Sequence, residues 1–535
     1  RPKPNRCGRR AGGAPPAPAP PPPGAPPPGA PPPLPAAIPL TDIITQSVTP
    51  NTLCATIGRI DRPFLQQQDP YVLEFSGQQG HAMICGGPQT GKTTALRTIV
   101  LALACTHTTD YLRFYILDLS GNDLESLSLL PHVAGVAHQH DTEKIARIID
   151  EVCGFIDQPE PRHTFLIVDG WHVLHGDHED LMEKLGRIAA DGLAARVHLV
   201  LTATRWSVVR PAIRDLIPQR IETKLGEPMD SLIDRKAQLK VPALPGRGLT
   251  SSGETMLIAL SAQQDVAFIA RSLVADQPPV PRLKLLPTSL MLADLPQLDP
   301  EQNSVLLGVG GPKLGAVNWD YLASQHMVCI GSQESGKSTL ISTIIAGLTQ
   351  IGRERARLVV IDHRRSHLGA IDPNMLAGYS ASTQETEKLV AAMKITLEER
   401  LPSAEVTPQQ LKDRSWWTGP DIFLIVDNLD LVADMAFAPL LSVLPPARDG
   451  GLHVVITRKS GGCVRALFQP FLAEIKDQSP FIIVLDADKD DGPLFGVRLK
   501  PQPPGRGVMI HHGTQQGLIQ IAAADMPEVS EAKAS

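Results

Sequence analysis

Two short stretches hold residue types that can grip a polyphosphate. "GGPQTGKTT" at Gly86–Thr94 and "GSQESGKST" at Gly331–Thr339 share glycines, a lysine and a following hydroxyl residue at one spacing. Glycines let backbone N–H groups converge on phosphate oxygens without a Cβ in the way. A helix starting there adds its positive end. The expected nucleotide contacts are therefore Gly86, Gly87, Pro88, Gln89, Thr90, Gly91, Lys92, Thr93 and Thr94 in one loop. In the other they are Gly331, Ser332, Gln333, Glu334, Ser335, Gly336, Lys337, Ser338 and Thr339. Lys92 and Lys337 would reach the β- and γ-phosphates, while Thr93 and Ser338 would bind Mg²⁺ of an ATP·Mg²⁺ complex.

Splitting the triphosphate needs more. An aspartate at the tip of a buried strand must hold Mg²⁺, and Asp169 and Asp427 each end an apolar run, in "TFLIVDGW" and "IFLIVDNLD". They are the expected catalytic and metal-site aspartates. Vigorous hydrolases of this broad class place a glutamate directly after that aspartate, to polarise the attacking water. Here Gly170 and Asn428 follow, and neither accepts a proton. Losing a positioned base costs about 10²–10⁴ in rate, so both sites are expected to bind ATP and to hydrolyse it slowly or not at all. Asp430 is a partial substitute in the second site. Thr204 and Thr457, at the ends of later strands, are candidate γ-phosphate sensors. Arg220, Arg448 and Arg465 are candidate arginine fingers, each weighed against an ordinary surface ion pair.

The elements that must hold these residues recur in one order. "HAMIC" precedes the first loop and "TTALRTIVLALACT" follows it; "HMVCI" and "STLISTIIAGLTQI" flank the second. Next come "FYILDLS" and "LVVIDHR", the two aspartate strands, "VHLVLTATRW" and "LHVVITRKSGG", and a "PGRG" turn at Pro245–Gly248 and at Pro504–Gly507. Apolar runs of this length, separated by helical stretches, indicate a parallel sheet covered on both faces. The fold class is thus α/β, with two tandem RecA-like P-loop ATPase domains, mostly parallel sheets and a disordered Pro-rich segment in front. The boundaries read as residues 1–40 for that segment, 41–282 and 283–528 for the domains, and 529–535 for a disordered tail. Half of Ala11–Pro39 is proline, which favours an extended spacer or a ligand for a proline-binding module.

Composition narrows the function. The 535 residues carry a formal net charge of −6 and only 4% aromatics, which speaks against a nucleic-acid binder. The seven cysteines form no CxxC pair, so a zinc site or disulfide framework is not expected. His132–His140 and Trp171–His178 are rich in histidine but lack a metal-site frame. No apolar run is long enough to span a bilayer. Trp416 and Trp417 in "RSWW" read as core packing or, more sharply, as a partner anchor.

Beyond the loops, the chain resembles the EccC family, the FtsK/SpoIIIE-type ATPases of type VII secretion systems. The residues that carry the resemblance include "DRPFLQQQDP", "VDGW", "TATRW", "IDRKA" and "PGRGLT" in the first half. In the second half they include "DHRRSHLG", "AGYS", "RSWWTGPD", "VDNLDLVA", "ARDGGLHVV" and "RKSGGCVRALF". The resemblance is to the second and third of three ATPase modules. It implies a cytoplasmic chain held peripherally at the inner membrane by a membrane-anchored first-module subunit and the secretion core complex. It also implies regulation of the export motor, recognition of WXG-family helical-hairpin substrates by their C-terminal tails, and assembly into a homo-oligomer or hexamer. His363, Asn428 and Leu429 depart from the family pattern and weaken the case for hydrolysis in the second half. Two rival readings stay open: a DNA translocase, since FtsK-type motors pump duplexes, and a scaffold whose nucleotide never exchanges.

Overall fold

A computed structural model describes residues 33–44, 52–177, 181–299, 301–413, 415–486, 492–497 and 502–524. The contacts divide the chain into two units, Arg1–Leu283 and Lys284–Ser535. Most of the Pro-rich segment, Arg414, His178 and the 529–535 tail lie outside the described residues.

The first unit holds one ten-stranded sheet. Its strands are β1 (Cys54–Arg62), β2 (Gln67–Glu74), β3 (Ala82–Cys85), β4 (Leu112–Asp118), β5 (Val133–His138), β6 (His163–Asp169), β7 (Val197–Ala203), β8 (Gln219–Thr223), β9 (Arg247–Leu249) and β10 (Thr255–Ile258). Their spatial order is β2-β1-β10-β9-β8-β3-β7-β6-β4-β5. The block from β8 to β5 is parallel. The rest, β9-β10-β1-β2, is an antiparallel extension.

The parallel strands are buried on both faces, which is why they read as unbroken apolar runs rather than alternating ones. Alternate residues go to opposite layers. Ile84, Ile116, Phe165 and Val200 share a core with the helix Lys92–Thr106. Met83, Tyr115, Leu166 and Leu201 share another with the amphipathic helices Thr142–Asp157 and Met182–Asp191.

The second unit is built alike. Its strands are β11 (Ser304–Gly310), β12 (Gly315–Asp320), β13 (Met327–Gly331), β14 (Ala356–Asp362), β15 (Leu376–Ser380), β16 (Asp421–Asp427), β17 (Leu452–Lys459), β18 (Phe481–Val484), β19 (Arg506–His511) and β20 (Thr514–Ile521). Their order, β12-β11-β20-β19-β18-β13-β17-β16-β14-β15, is the first sheet's order with every number raised by ten.

The Pro-rich segment ends earlier than the composition suggests. Leu34, Ile38 and Leu40, expected to be disordered, are buried in the first unit's core. Leu40 N–H donates to Leu260 O, Leu260 N–H donates to Ile38 O, and Pro39 bridges Leu260 in parallel fashion. Arg247 Nη2 donates to the carbonyls of Leu34 and Pro35 at 2.8 and 2.7 Å. Proline lacks an N–H but keeps its carbonyl, so a Pro-containing strand can still be held from one side.

The tryptophans of "RSWW" are half-buried and satisfied within the unit. Trp416 Nε1 donates to Arg400 O at 2.7 Å and Trp417 Nε1 to Asp449 O at 2.8 Å, with the Arg400 guanidinium stacked over the Trp417 ring. Among the described residues, no helix is long and apolar enough to cross a membrane.

Candidate functional site

Each glycine-rich loop joins a parallel strand to the helix behind it. In the first unit β3 ends at Cys85 and the helix begins at Lys92. Gly91 caps that helix at φ +95°, a left-handed value that favours glycine. A Cβ there would come within 2.9 Å of Gly246 N, in the PGRG turn. Gly336 repeats this at φ +105°, with Gly505 N 2.8 Å from where its Cβ would be. Only glycine lets loop and turn approach so closely. Gly246 N–H donates to Thr90 O at 3.0 Å, and Gly505 N–H to Ser335 O at 2.8 Å.

The lysines fold over their own loops. Lys92 Nζ donates to Gly87 O at 2.6 Å, and Lys337 Nζ donates to Gly331 O at 3.1 Å and to Ser332 O. Burial pulls both ammonium groups below their usual range, opposed in each case by a nearby aspartate, Asp169 or Asp427. Loop carbonyls take the hydrogen bonds that each lysine could give to a phosphate.

The hydroxyl after each lysine meets the expected strand-end aspartate. Thr93 Oγ1 donates to Asp169 Oδ2 at 2.6 Å, and Ser338 Oγ to Asp427 Oδ2 at 3.1 Å. A hydroxyl and a carboxylate at a phosphate loop form a hard-oxygen set that suits Mg²⁺, an ion that keeps several of its waters. The residues present therefore fit the group: these four would hold Mg²⁺ directly or through its water shell.

A threonine from the next strand steadies each aspartate. Thr202 Oγ1 donates to Asp169 Oδ1 and accepts from Gly170 N–H at 2.9 Å. Thr457 Oγ1 donates to Asp427 Oδ1 at 2.6 Å and accepts from Asn428 N–H at 2.8 Å. The counterpart of Thr457 is thus Thr202, and Thr204 lies beyond β7. Val168 pairs with Leu201 and Val426 with Ile456, so the next residue along in each case, Thr202 or Thr457, faces the aspartate. Both threonines orient the aspartate, a role the sequence did not separate from phosphate sensing.

The residue after each aspartate has left-handed backbone, at φ +89° for Gly170 and φ +57° for Asn428. The space where a side chain at 170 would start is taken: Ser120 Oγ lies 2.3 Å from that Cβ position.

Sequence reasoning missed a second carboxylate beside each of these aspartates. Asp118 pairs in register with Asp169, and Asp362 with Asp427. Asp118 is sealed from solvent; its Oδ2 accepts Leu124 N–H at 2.9 Å, and its Oδ1 has no hydrogen-bond partner among the described residues. Burial pushes its carboxyl up to about 6. Asp362 is better satisfied, accepting from His367 N–H at 2.8 Å, Tyr379 O–H at 3.0 Å and Arg364 N–H at 3.2 Å. His367 Nε2 also stands 3.4 Å from Asp427 Oδ2. Burial raises the Asp427 pKa, but contacts from His367, Thr457 and Ser338 outweigh it and hold the carboxyl below its ordinary value. The sequence signal was the aspartate ending "FYILD" and "LVVID", read only as a strand end.

In the second unit a cavity of about 440 Å³ opens over the loop, lined by Lys337, Ser338 and Thr339. Arg364 and Lys459 bring positive charge to it, and Asp430 lines it while its Oδ1 accepts Lys459 N–H at 3.1 Å. The other arginines lie elsewhere: Arg220 Nε donates to Ile217 O at 3.2 Å, and Arg448 and Arg465 are exposed.

A strand–glycine loop–helix with a hydroxyl–aspartate pair, repeated on two sheets of the same order, defines a tandem P-loop ATPase fold. The FtsK/SpoIIIE family model matches residues 48–267. The ESX secretion system protein EccC of Thermomonospora curvata is 38% identical over 515 residues, covering 88% of this chain and 39% of that protein. The ESX-4 secretion system protein EccC4 of Mycobacterium tuberculosis is 35% identical, covering 89% and 41%. The chain thus spans about two fifths of the length of these curated relatives. A solved structure of Thermomonospora curvata EccC (ATPases 2 and 3), in complex with a signal sequence peptide, is 36% identical, covers 89% of this chain and 94% of that one, and superposes with a TM-score of 0.79. The chain belongs to the EccC-type FtsK/SpoIIIE ATPases of type VII secretion systems and corresponds to their second and third ATPase modules.

Proposed function

We propose that this chain is the ATP-binding tandem module of a type VII secretion ATPase. It binds ATP·Mg²⁺ at both loops, turns it over slowly, and regulates an export motor located elsewhere. One observation carries this reading. At both sites the loop lysine, the hydroxyl and the oriented aspartate stand together, while the position for a catalytic glutamate holds Gly170 or Asn428 in left-handed backbone. The phosphate-gripping parts are kept and the water-activating part is missing.

In this reading the two ATPase domains are those of 41–282 and 283–528, with the first extended back to Leu34 and the junction moved to Leu283/Lys284. The substrates are small WXG-family helical hairpins, recognised through a C-terminal signal, and the relative solved with a signal sequence peptide supports this. The partners are a membrane-anchored first-module subunit and the secretion core, which hold the chain at the cytoplasmic face of the membrane. Binding of a substrate tail and of nucleotide are thermodynamically coupled.

The test is equilibrium binding and turnover of MgATP on the full chain, with capture of a helical-hairpin export substrate with and without its tail. Two bound nucleotides, little phosphate release and tail-dependent capture are expected. Brisk turnover abolished by Lys92→Ala or Lys337→Ala would overturn slow hydrolysis. Salt-sensitive duplex DNA binding would favour the translocase reading.

A further inference from the structure

The cavity of the second unit has two kinds of wall. One is the phosphate loop. The other is a short strap, Thr288, Ser289 and Leu290, together with Gln520, Ile521 and Ala523 at the end of β20. A run of backbone hydrogen bonds ties the strap to the loop. Gly505 N–H reaches the loop at Ser335 O, Ile521 N–H reaches Gly505 O at 2.8 Å, Ala523 N–H reaches Leu290 O at 2.8 Å, and Leu292 N–H returns to Ala523 O at 2.8 Å. The buried Arg506 fixes the start of the strap, with Nη2 donating to Leu286 O at 3.0 Å and Pro287 O at 2.6 Å.

The first unit repeats the device. Arg247 holds Leu34 O and Pro35 O, and Leu260 pairs with Ile38 and Leu40. Ala36 and Ala37 therefore stand where the second strap has Thr288 and Ser289. The same anchors, an arginine on a Leu-Pro pair and a backbone clasp, thus hold a strap in each unit while the two residues between them differ.

We infer that the strap entering each unit is the nucleoside wall of its nucleotide site. The phosphate loop takes the triphosphate. Thr288 and Ser289, exposed at the cavity, offer hydroxyls to the ribose and base edges, and Leu290 and Ile521 offer an apolar face to the base. A cavity of about 440 Å³ is in the range for a ligand of this size. The inference rests on the nucleotide reading above and assigns the nucleoside half of the ligand.

The test uses the full chain with Lys92→Ala, so that only the second site is read, titrated with MgATP and with Mg-tripolyphosphate. In the Thr288→Ala/Ser289→Ala variant, which writes the first strap's residues into the second, MgATP affinity falls about tenfold while tripolyphosphate affinity holds within about twofold, as loss of one or two hydrogen bonds predicts. Unchanged MgATP affinity, or equal loss for both ligands, overturns the inference. Failure of the Lys92→Ala parent to bind either ligand overturns the nucleotide reading itself. The converse change, Ala36→Thr/Ala37→Ser with Lys337→Ala, tightens MgATP at the first site and leaves tripolyphosphate alone; no tightening counts against a shared device.

Discussion

The two sites share a frame and differ in trim. Lysine, hydroxyl, aspartate and orienting threonine occupy the same places on two sheets of one strand order. Around them the first site has Gly170, a buried carboxyl at Asp118 with one oxygen unpartnered among the described residues, and an alanine-bearing strap. The second has Asn428, a well-bonded Asp362, His367 beside its aspartate and a hydroxyl-bearing strap. Residues that hold loop, strand and helix together are common to both, and those that would touch the reacting water or the nucleoside vary. Gripping a phosphate is built into the fold; what happens next is decided by a handful of side chains at its rim.

The largest test removes the shared part. Lys92→Ala and Lys337→Ala should each weaken nucleotide at its own site by about 100-fold or more, as loss of a buried charge partner does. Binding stoichiometry should fall from two to one in either variant, and a drop to zero from one change would break the symmetry of the comparison. Next, Thr202→Val and Thr457→Val should weaken Mg²⁺-dependent binding about tenfold, the usual penalty for losing a group that orients a metal ligand. Magnesium titration of nucleotide fluorescence would measure it, with Thr204→Val as a control that changes little.

A third test separates the sites. Gly170→Glu must place a side chain where Ser120 Oγ already sits, on left-handed backbone, so a loss of about 1–3 kcal/mol in stability is expected and no gain in turnover. Asn428→Glu starts from a non-glycine residue at φ +57° and should cost about 1 kcal/mol or less. Denaturant unfolding of both variants gives the ranking.

The smallest test is pH. Burial lowers His81 to about 4, His163 to about 4 and His198 to about 3 in the first unit, and lowers His132 as well. In the second unit burial lowers His326 to about 3, and His511 is lowered too. A histidine with a depressed folded pKa takes up protons more readily when unfolded, so stability is lost as pH falls from about 6.5 toward 4. Asp118, raised to about 6, works in the opposite sense, since its ionisation costs stability as pH rises through 4 to 6. Four such histidines against one carboxyl predict that hydrogen-exchange protection in β6 and β7, relative to the intrinsic rate at each pH, falls on acidification more than in β16 and β17. Equal loss of protection would remove this difference between the units.

Much of this was legible in the sequence because the parallel strands are buried on both faces. "FYILD", "FLIVD" and "LVVID" could hardly be anything else, and the glycine loops sit where strand turns to helix. The antiparallel extension was not legible: β2 shows a mixed burial pattern, β9 has three residues, and neither has a periodicity of its own. The strap was hidden for another reason. "LPAAIPL" looks like more of the proline-rich head, and the hydrogen bonds that pin it come from Arg247 and Leu260, more than 200 residues later. Thr202 was missed by a slip of two residues, which keeps a side chain on the same face of a strand and so leaves no trace in the pattern.

The strand order also constrains the sequence of events during synthesis. In each unit the hairpin made first reaches the rest of the sheet only through the two strands made last, with β1 beside β10 and β11 beside β20. A nascent chain that has emerged only as far as Leu249 holds β1 and β2 with no strand of the sheet to pair with, and pairings of such long sequence separation close slowly. The ribosome must therefore deliver nearly a whole unit before either end of it is secured, and it must do so twice.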